Sequence, residues 1–233
     1  MNTHTANRTN ARLAGAALAL AAALAIAGFT ALGSIFEYPQ ILDEPTGDII
    51  ALFRQHQTAV MSWFLVLAIS AALIAPAGIW LGRMAGGTLG RAIAAVGIAA
   101  ATVQVVGLQR WVTLVPAISH DALDPARRPA AEHRFELWHT VLGKAIGETL
   151  GYALTATFTV LVVVALRRSV LPRWLAIVGY TAAALIATGV VIPLLEAASL
   201  TNFAGYIIWC AWLLAVAVVL FRLRATTTVP VAG

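Results

Sequence analysis

The sequence predicts an all-α fold, a polytopic bundle of six membrane-spanning helices, and three observations predict it. Of 233 residues, 61% are hydrophobic and only 11% charged, against roughly a quarter charged in soluble domains. Apolar runs of the ~20 residues that a helix needs to cross the hydrocarbon recur along the chain, at about 13–36, 58–81, 92–115, 140–166, 174–195 and 203–221. The connections between them are short, so residues 1–233 read as a single integral membrane domain.

The first run follows the polar stretch MNTHTANRTNAR and is long for the apolar region of a signal peptide, although small residues near Ala31 and Ser34 are compatible with cleavage. Glu37–Asp48 is an acidic connection with two prolines, in which Thr46 or Asp48 is a candidate cap for the helix that follows. IIALF and Arg54–Gln57 then form a short interfacial helix feeding the second span, which Pro76 is placed to kink. Gly82–Arg91 is a glycine-rich turn, and Pro116 is expected to close the third span. Residues 117–131 make the longest polar connection, with Asp124 before Pro125 as a candidate helix start. The fourth span ends near Leu166, the Leu171–Pro172 turn leads into the fifth, and the SLTN link leads into the sixth.

Charge orients the bundle. Arg8, Arg12, Arg83, Arg91, Arg167, Arg168, Arg173, Arg222 and Arg224 fall on one side of a six-span arrangement, nine of the fifteen basic residues. The positive-inside rule makes that side cytoplasmic, together with both termini. Every acidic residue, and His56, His120, His133 and His139, fall toward the other side, where the interfacial helices are also expected. In a soluble protein the net charge of +5 would suggest a nucleic-acid partner, but here basic residues report topology first, and none is expected. The expected partners are membrane lipid, a small-molecule or lipid ligand, and a protein partner or second copy of the chain. The expected location is a bacterial inner membrane. Cys210, alone in an apolar run, allows no internal disulfide and no thiolate cluster.

Candidate chemistry concentrates in residues 132–158. His133, Glu136 and His139 are spaced by three, so on an α-helix at about 100° per residue they fan across about 120° and are candidate metal ligands. A single Glu-x-x-His unit within a charged segment is equally the solvated face of an interfacial helix. Lys144 and Glu148 lie four apart on one face, where ionisable groups inside a span normally turn inward and find partners. On a straight helix His139 and Glu148 face about 180° apart, so they are poor candidates for one site without a helix break. Gly143, Gly147 and Gly151 form a small-residue stripe suited to close helix packing. Arg110, Lys144, Glu148, Glu196 and Asn202 are expected at similar depth, as a buried polar network or ligand site. No stock catalytic motif is present, and no cofactor or catalytic residue follows from the sequence.

At LPRWLAIVGY (171–180) and TNFAGYIIWCAWLLAVAVVLFR (201–222) the chain resembles bacterial integral membrane proteins grouped as the domain of unknown function 4386 family. Leu171, Pro172, Trp174 and Leu175 match the family's turn before a glycine-bearing span, Ala176 stands where glycine is usual, and GETLGYAL (147–154) is similar as well. The resemblance implies a six- or seven-helix membrane bundle and no particular reaction. The leading expectation is therefore binding, sensing or passage of a small molecule or lipid in an outward-facing polar pocket. The alternatives are a membrane enzyme with a His/Glu site at the outer leaflet, metal-dependent or not, and a structural partner of another protein.

Overall fold

Six helices long and apolar enough to cross a membrane dominate the computed structural model, which describes residues 3–223, with side chains from residue 7. Arg224, expected on the arginine-rich side, lies outside the described residues. The first span is α1 (Thr3–Ile35), and α2 (Thr46–Gln55) is the short helix before the second. That second span is α3 (Gln57–Ala72) and α4 (Ile74–Ala85), and the third is α5 (Gly87–Thr113) with α6 (Val115–Asp121). The fourth joins α7 (Arg128–Trp138), a π-helical stretch (His139–Leu150) and α8 (Gly151–Leu166). The fifth is α9 (Arg173–Ala187) with a 3₁₀ turn (Thr188–Val191), and the sixth is α10 (Ala198–Arg222).

Proline chemistry explains most of the boundaries, including two that differ from expectation. Pro76 lacks an N–H, so the carbonyl of Ala72 loses its helical donor, and the span breaks at Leu73 as expected. Pro116, by contrast, does not close the third span. It sits in the first turn of α6, where its missing donor is harmless, and the helix continues to Asp121 with Ile118 N donating to Leu114 O at 3.2 Å. The connection that follows shrinks to residues 122–127. In the fifth span helical structure stops at Val191, short of residue 195, and Leu194 and Leu195 lie exposed in the turn around Pro193. Thr46 and Asp48 do not cap α2, whose N-cap is Pro45; Thr46 Oγ1 instead donates to Glu136 Oε1 at 3.1 Å, tying α2 to α7. Asp124 organises a turn, accepting from Ala126 N at 3.0 Å, while α7 starts only at Arg128.

The spans close into a ring in chain order. α1 packs on α3, α4 and α10; α5 packs on α3, α4, α8 and the π stretch; α8 packs on α9, and α9 on α10. Two apolar clusters fill the ring. One, toward the rim that carries Arg83, Arg91, Arg167, Arg168, Arg173 and Arg222, includes Leu81, Ile93, Phe158, Leu175 and Trp212. The other, toward the acidic rim, is built on Phe36, Phe53, Phe64, Trp111 and Phe135. Trp111 is its centre, stacked on Phe64 at 4.9 Å and edge-on to Phe36 at 5.1 Å.

The crossing of α4 and α5 depends on two glycines: a Cβ on Gly90 would run into the carbonyl oxygen of Gly82, and the converse holds for Gly82. Gly90→Ala is therefore expected to destabilise the protein by about 1–3 kcal/mol, the usual scale of overpacking. Gly33→Ala, whose Cβ meets only Tyr38 O at 3.6 Å, should leave the thermal midpoint in detergent unchanged or slightly raised; equal losses for both would contradict the packing argument.

Candidate functional site

The π-helical stretch decides what faces inward. Its hydrogen bonds run from i to i+5, so each residue advances by less than the 100° of an α-helix, and the expected helical wheel fails over residues 139–150. His139, expected on the outer collar, is buried. Lys144, expected inside beside Glu148, is exposed, and the two form no ion pair. Glu148 is half-buried. The glycines in this stretch make the close approach to α5 possible: a Cβ on Gly147 would come within 2.9 Å of Gly107 Cα, and one on Gly143 within 2.7 Å of Arg110 Nη2.

The guanidinium of Arg110 thus occupies the place of a side chain at Gly143. Arg110 is 4% exposed. Its Nη1 donates to Gly107 O at 2.6 Å, its Nη2 lies 3.3 Å from His139 Nδ1, and its Cζ sits 5.2 Å from the centroid of the Trp111 ring. Arginine can only donate, so the contact makes Nδ1 the acceptor and leaves the ring proton on His139 Nε2. The His139 ring stacks on Phe135 at 5.6 Å. Three buried donors in this neighbourhood have no acceptor: Arg110 Nε, Trp111 Nε1 and His139 Nε2. Such donors are rare in native structures and call for an acceptor.

Beside the guanidinium lies a cluster of polar side chains. Tyr38, Glu148, Tyr152 and Tyr206 are each half-buried by accessibility yet surrounded by protein, and they are within electrostatic reach of one another and, except for Tyr206, of Arg110. Arg110 and Glu148 are opposite in charge but form no direct ion pair. Tyr38, in the connection after α1, has its phenol pushed up to about 12 by burial first and by Glu148 second, with Arg110 opposing, so it stays a neutral donor. Tyr152 packs its ring over Gly189, where a Cβ would collide with it, and meets Tyr206 edge-on at 5.8 Å. Deeper in, Gln104 Nε2 donates to Thr155 Oγ1 at 2.7 Å and Trp209 Nε1 to Thr159 Oγ1 at 2.8 Å.

Of the expected network, then, the structure brings together Arg110 and Glu148. Lys144 and Glu196 are exposed, and Asn202 is engaged with the backbone, donating to Ile186 O at 2.8 Å. His139 and the three tyrosines join the cluster instead. Of the candidate metal ligands, His133 and Glu136 are exposed on α7 while His139 is buried, and among the described residues no group of three or more His, Cys, Asp or Glu side chains converges to hold a metal. At the acidic rim the cations are partnered: Arg127 binds Asp121 and Asp124, both at 3.0 Å, Arg134 binds Asp121, and Arg54 donates to Ser119 O at 3.1 Å. The backbone N–H of Ala126, then Arg127, hold the Asp124 carboxyl below its ordinary range. Two surface recesses of about 360 and 350 Å³ lie apart from Arg110, on the faces of α8 and α9 and at Arg54–Ala59.

A family model described as "Domain of unknown function (DUF4386)" matches residues 13–217. No curated protein and no solved structure matches the chain.

The fit of Arg110 over Gly143 is testable by a double-mutant cycle. Gly143→Ala is expected to cost about 1–3 kcal/mol by displacing the guanidinium, and to cost measurably less in an Arg110→Ala background, because the colliding group is gone. Additive losses in thermal unfolding would contradict direct contact.

Proposed function

The chain belongs to the domain of unknown function 4386 family, whose description carries no activity, and from the geometry we propose that it binds a small polar ligand, free or borne by a lipid, at the polar cluster around Arg110. One observation carries this reading: the buried donors Arg110 Nε and His139 Nε2 lack acceptors, beside the rings of Trp111 and Phe135. A buried cation is strongly disfavoured unless it is compensated, and a ligand carrying acceptor oxygens compensates it. The arginine-rich rim supports insertion with that side in the cytoplasm of a bacterial inner membrane. The Arg110 cluster, which adjoins the aromatic core toward the acidic rim, then lies on the outer side.

The two other readings receive less support. An outer-leaflet enzyme built on His139 with Glu136 or Glu148 needs the groups at one site, whereas Glu136 is exposed on α7 and the buried His139 is engaged with Arg110 and Phe135. Docking of a partner helix on the glycine stripe needs that stripe free, whereas Arg110 fills the space at Gly143 and Gly107 the space at Gly147.

Protein extracted gently and analysed by native mass spectrometry is expected to retain an acceptor-bearing metabolite or lipid that is lost from Arg110→Gln. The same species retained in both proteins, or none in either, would count against the reading. In a Cys210→Ser background, Leu123→Cys is expected to react with a membrane-impermeant maleimide on intact cells and Thr88→Cys only after lysis; the reverse pattern would invert the orientation.

A further inference from the structure

We propose that the arginine turn between α8 and α9, together with the recess between these helices, binds an anionic glycerophospholipid, its headgroup held by Arg167, Arg168 and Arg173 and an acyl chain lying in the recess. The site is separate from the Arg110 cluster and does not rest on ligand binding there. Three features follow one another from the rim inward, in the order in which such a lipid presents its parts.

The first is a fixed cluster of cations. Residues 167–172 join α8 to α9, and Leu166 O accepts from Val170 N at 2.8 Å and from Leu171 N at 2.9 Å. Leu171 is buried in the core, so the turn is pinned. Arg167, Arg168 and Arg173 are exposed there, and none of them forms an ion pair among the described residues. No acidic residue occurs between Glu148 and Glu196, so neither helix brings a counter-charge. Trp174, beside them and exposed, is a residue type that anchors at headgroup level. The second feature is Tyr180, half-buried at the recess, its hydroxyl without a hydrogen-bond partner among the described residues. A phenol in hydrocarbon calls for an acceptor, and the ester carbonyls between headgroup and chain supply one. The third is the recess of about 360 Å³, lined by Ala156, Val160, Leu161, Ala184 and Ala187. Its small side chains leave a groove open. Counted at about 1.5 Å per residue, the lining lies about 9–21 Å from the arginines, around the ~15 Å at which the chains of one leaflet end.

The charge pattern favours a lipid over a second copy of the chain. Two copies of the same topology, paired through this recess about an axis along the membrane normal, would set two such turns side by side with no carboxylate between them. An anionic headgroup instead neutralises the turn, with a gain from each arginine near the phosphate.

The test uses the delipidated full chain in detergent, titrated with phosphatidylglycerol or phosphatidylcholine and followed by native mass spectrometry. Phosphatidylglycerol is expected to bind about tenfold or more tighter, the scale of two or three arginines acting on one charge. Replacing Arg167, Arg168 and Arg173 together by Gln should erase that preference, whereas Arg83→Gln with Arg91→Gln, at the α4–α5 turn of the same rim, should keep it. Ala184→Phe, at an exposed position lining the recess, should weaken binding of both lipids. Equal binding of the two lipids by the wild type would overturn the proposal. So would equal losses from the two sets of arginine variants, which would mark a diffuse attraction of the whole rim. Binding untouched by Ala184→Phe would overturn the seat in the recess, and a lipid-free dimer dispersed by Ala184→Phe would assign the recess to a second copy. The wild-type comparison and Ala184→Phe decide the matter even if the triple variant fails to fold.

Discussion

The burial of one guanidinium is the constraint on which the acidic-rim half of this bundle depends. Arg110 is almost wholly enclosed, and an ionised group in a membrane interior persists only where backbone oxygens, rings or partner charges surround it. Three features of the fold supply those surroundings. Gly107, one turn earlier on α5, offers its carbonyl oxygen. Trp111, the next residue, lies under the guanidinium. The fourth span contributes His139 and leaves Gly143 bare, so that the charged group fits between helices. An α-helical register at 139–150 would turn His139 and Glu148 to opposite sides; the π-helical register allows His139 to be buried against Arg110 while Glu148 stays within its electrostatic reach. π-helical turns occur often at functional sites, and here the turn has an identifiable structural consequence.

The two apolar clusters make that consequence matter. The Leu- and Trp-rich core around Phe158 and Trp212 closes the ring toward the arginine-rich rim, and the aromatic cluster around Trp111 lies on the other side of the guanidinium. Between them, polar contacts act in a medium of low dielectric, where a satisfied group is strongly held and an unsatisfied one is costly. The cations of the acidic rim, Arg127 and Arg134, have carboxylate partners in a more exposed setting and need no special architecture. Arg110 is set apart by its depth and by the want of such a partner.

Much of the fold was legible in the sequence because the bilayer constrains length and composition directly. All six spans were readable from apolar runs, and the break at Pro76 from proline chemistry. Pro116 and Pro193 were harder, since a proline is tolerated in a first helical turn and its effect depends on where the turn begins. The candidate site was legible only in part. Arg110 and Glu148 stood out as ionisable residues in or near apolar runs. Nothing in HTVLGKAIGETL marks a π-helical register, so arithmetic at 100° per residue placed His139 outside and Lys144 inside, the reverse of their positions. Tyr38 lies in a connection, and its place beside Glu148 follows from the tertiary fold of residues 36–45 rather than from any local pattern.

Membership of a family defined without an activity leaves the chemistry of the cluster around Arg110 as the guide to function. Unmet buried donors beside half-buried phenols describe a receptor for a small polar molecule more readily than a closed structural ion pair. The most direct test is an experimental structure of the protein purified with its native lipids, resolved well enough to show side chains and bound molecules. The account predicts a bound molecule whose acceptor oxygens lie within hydrogen-bond distance of Arg110 Nε and His139 Nε2. Arg110 and His139 with no bound molecule beside them, their donors met by protein groups instead, would contradict it.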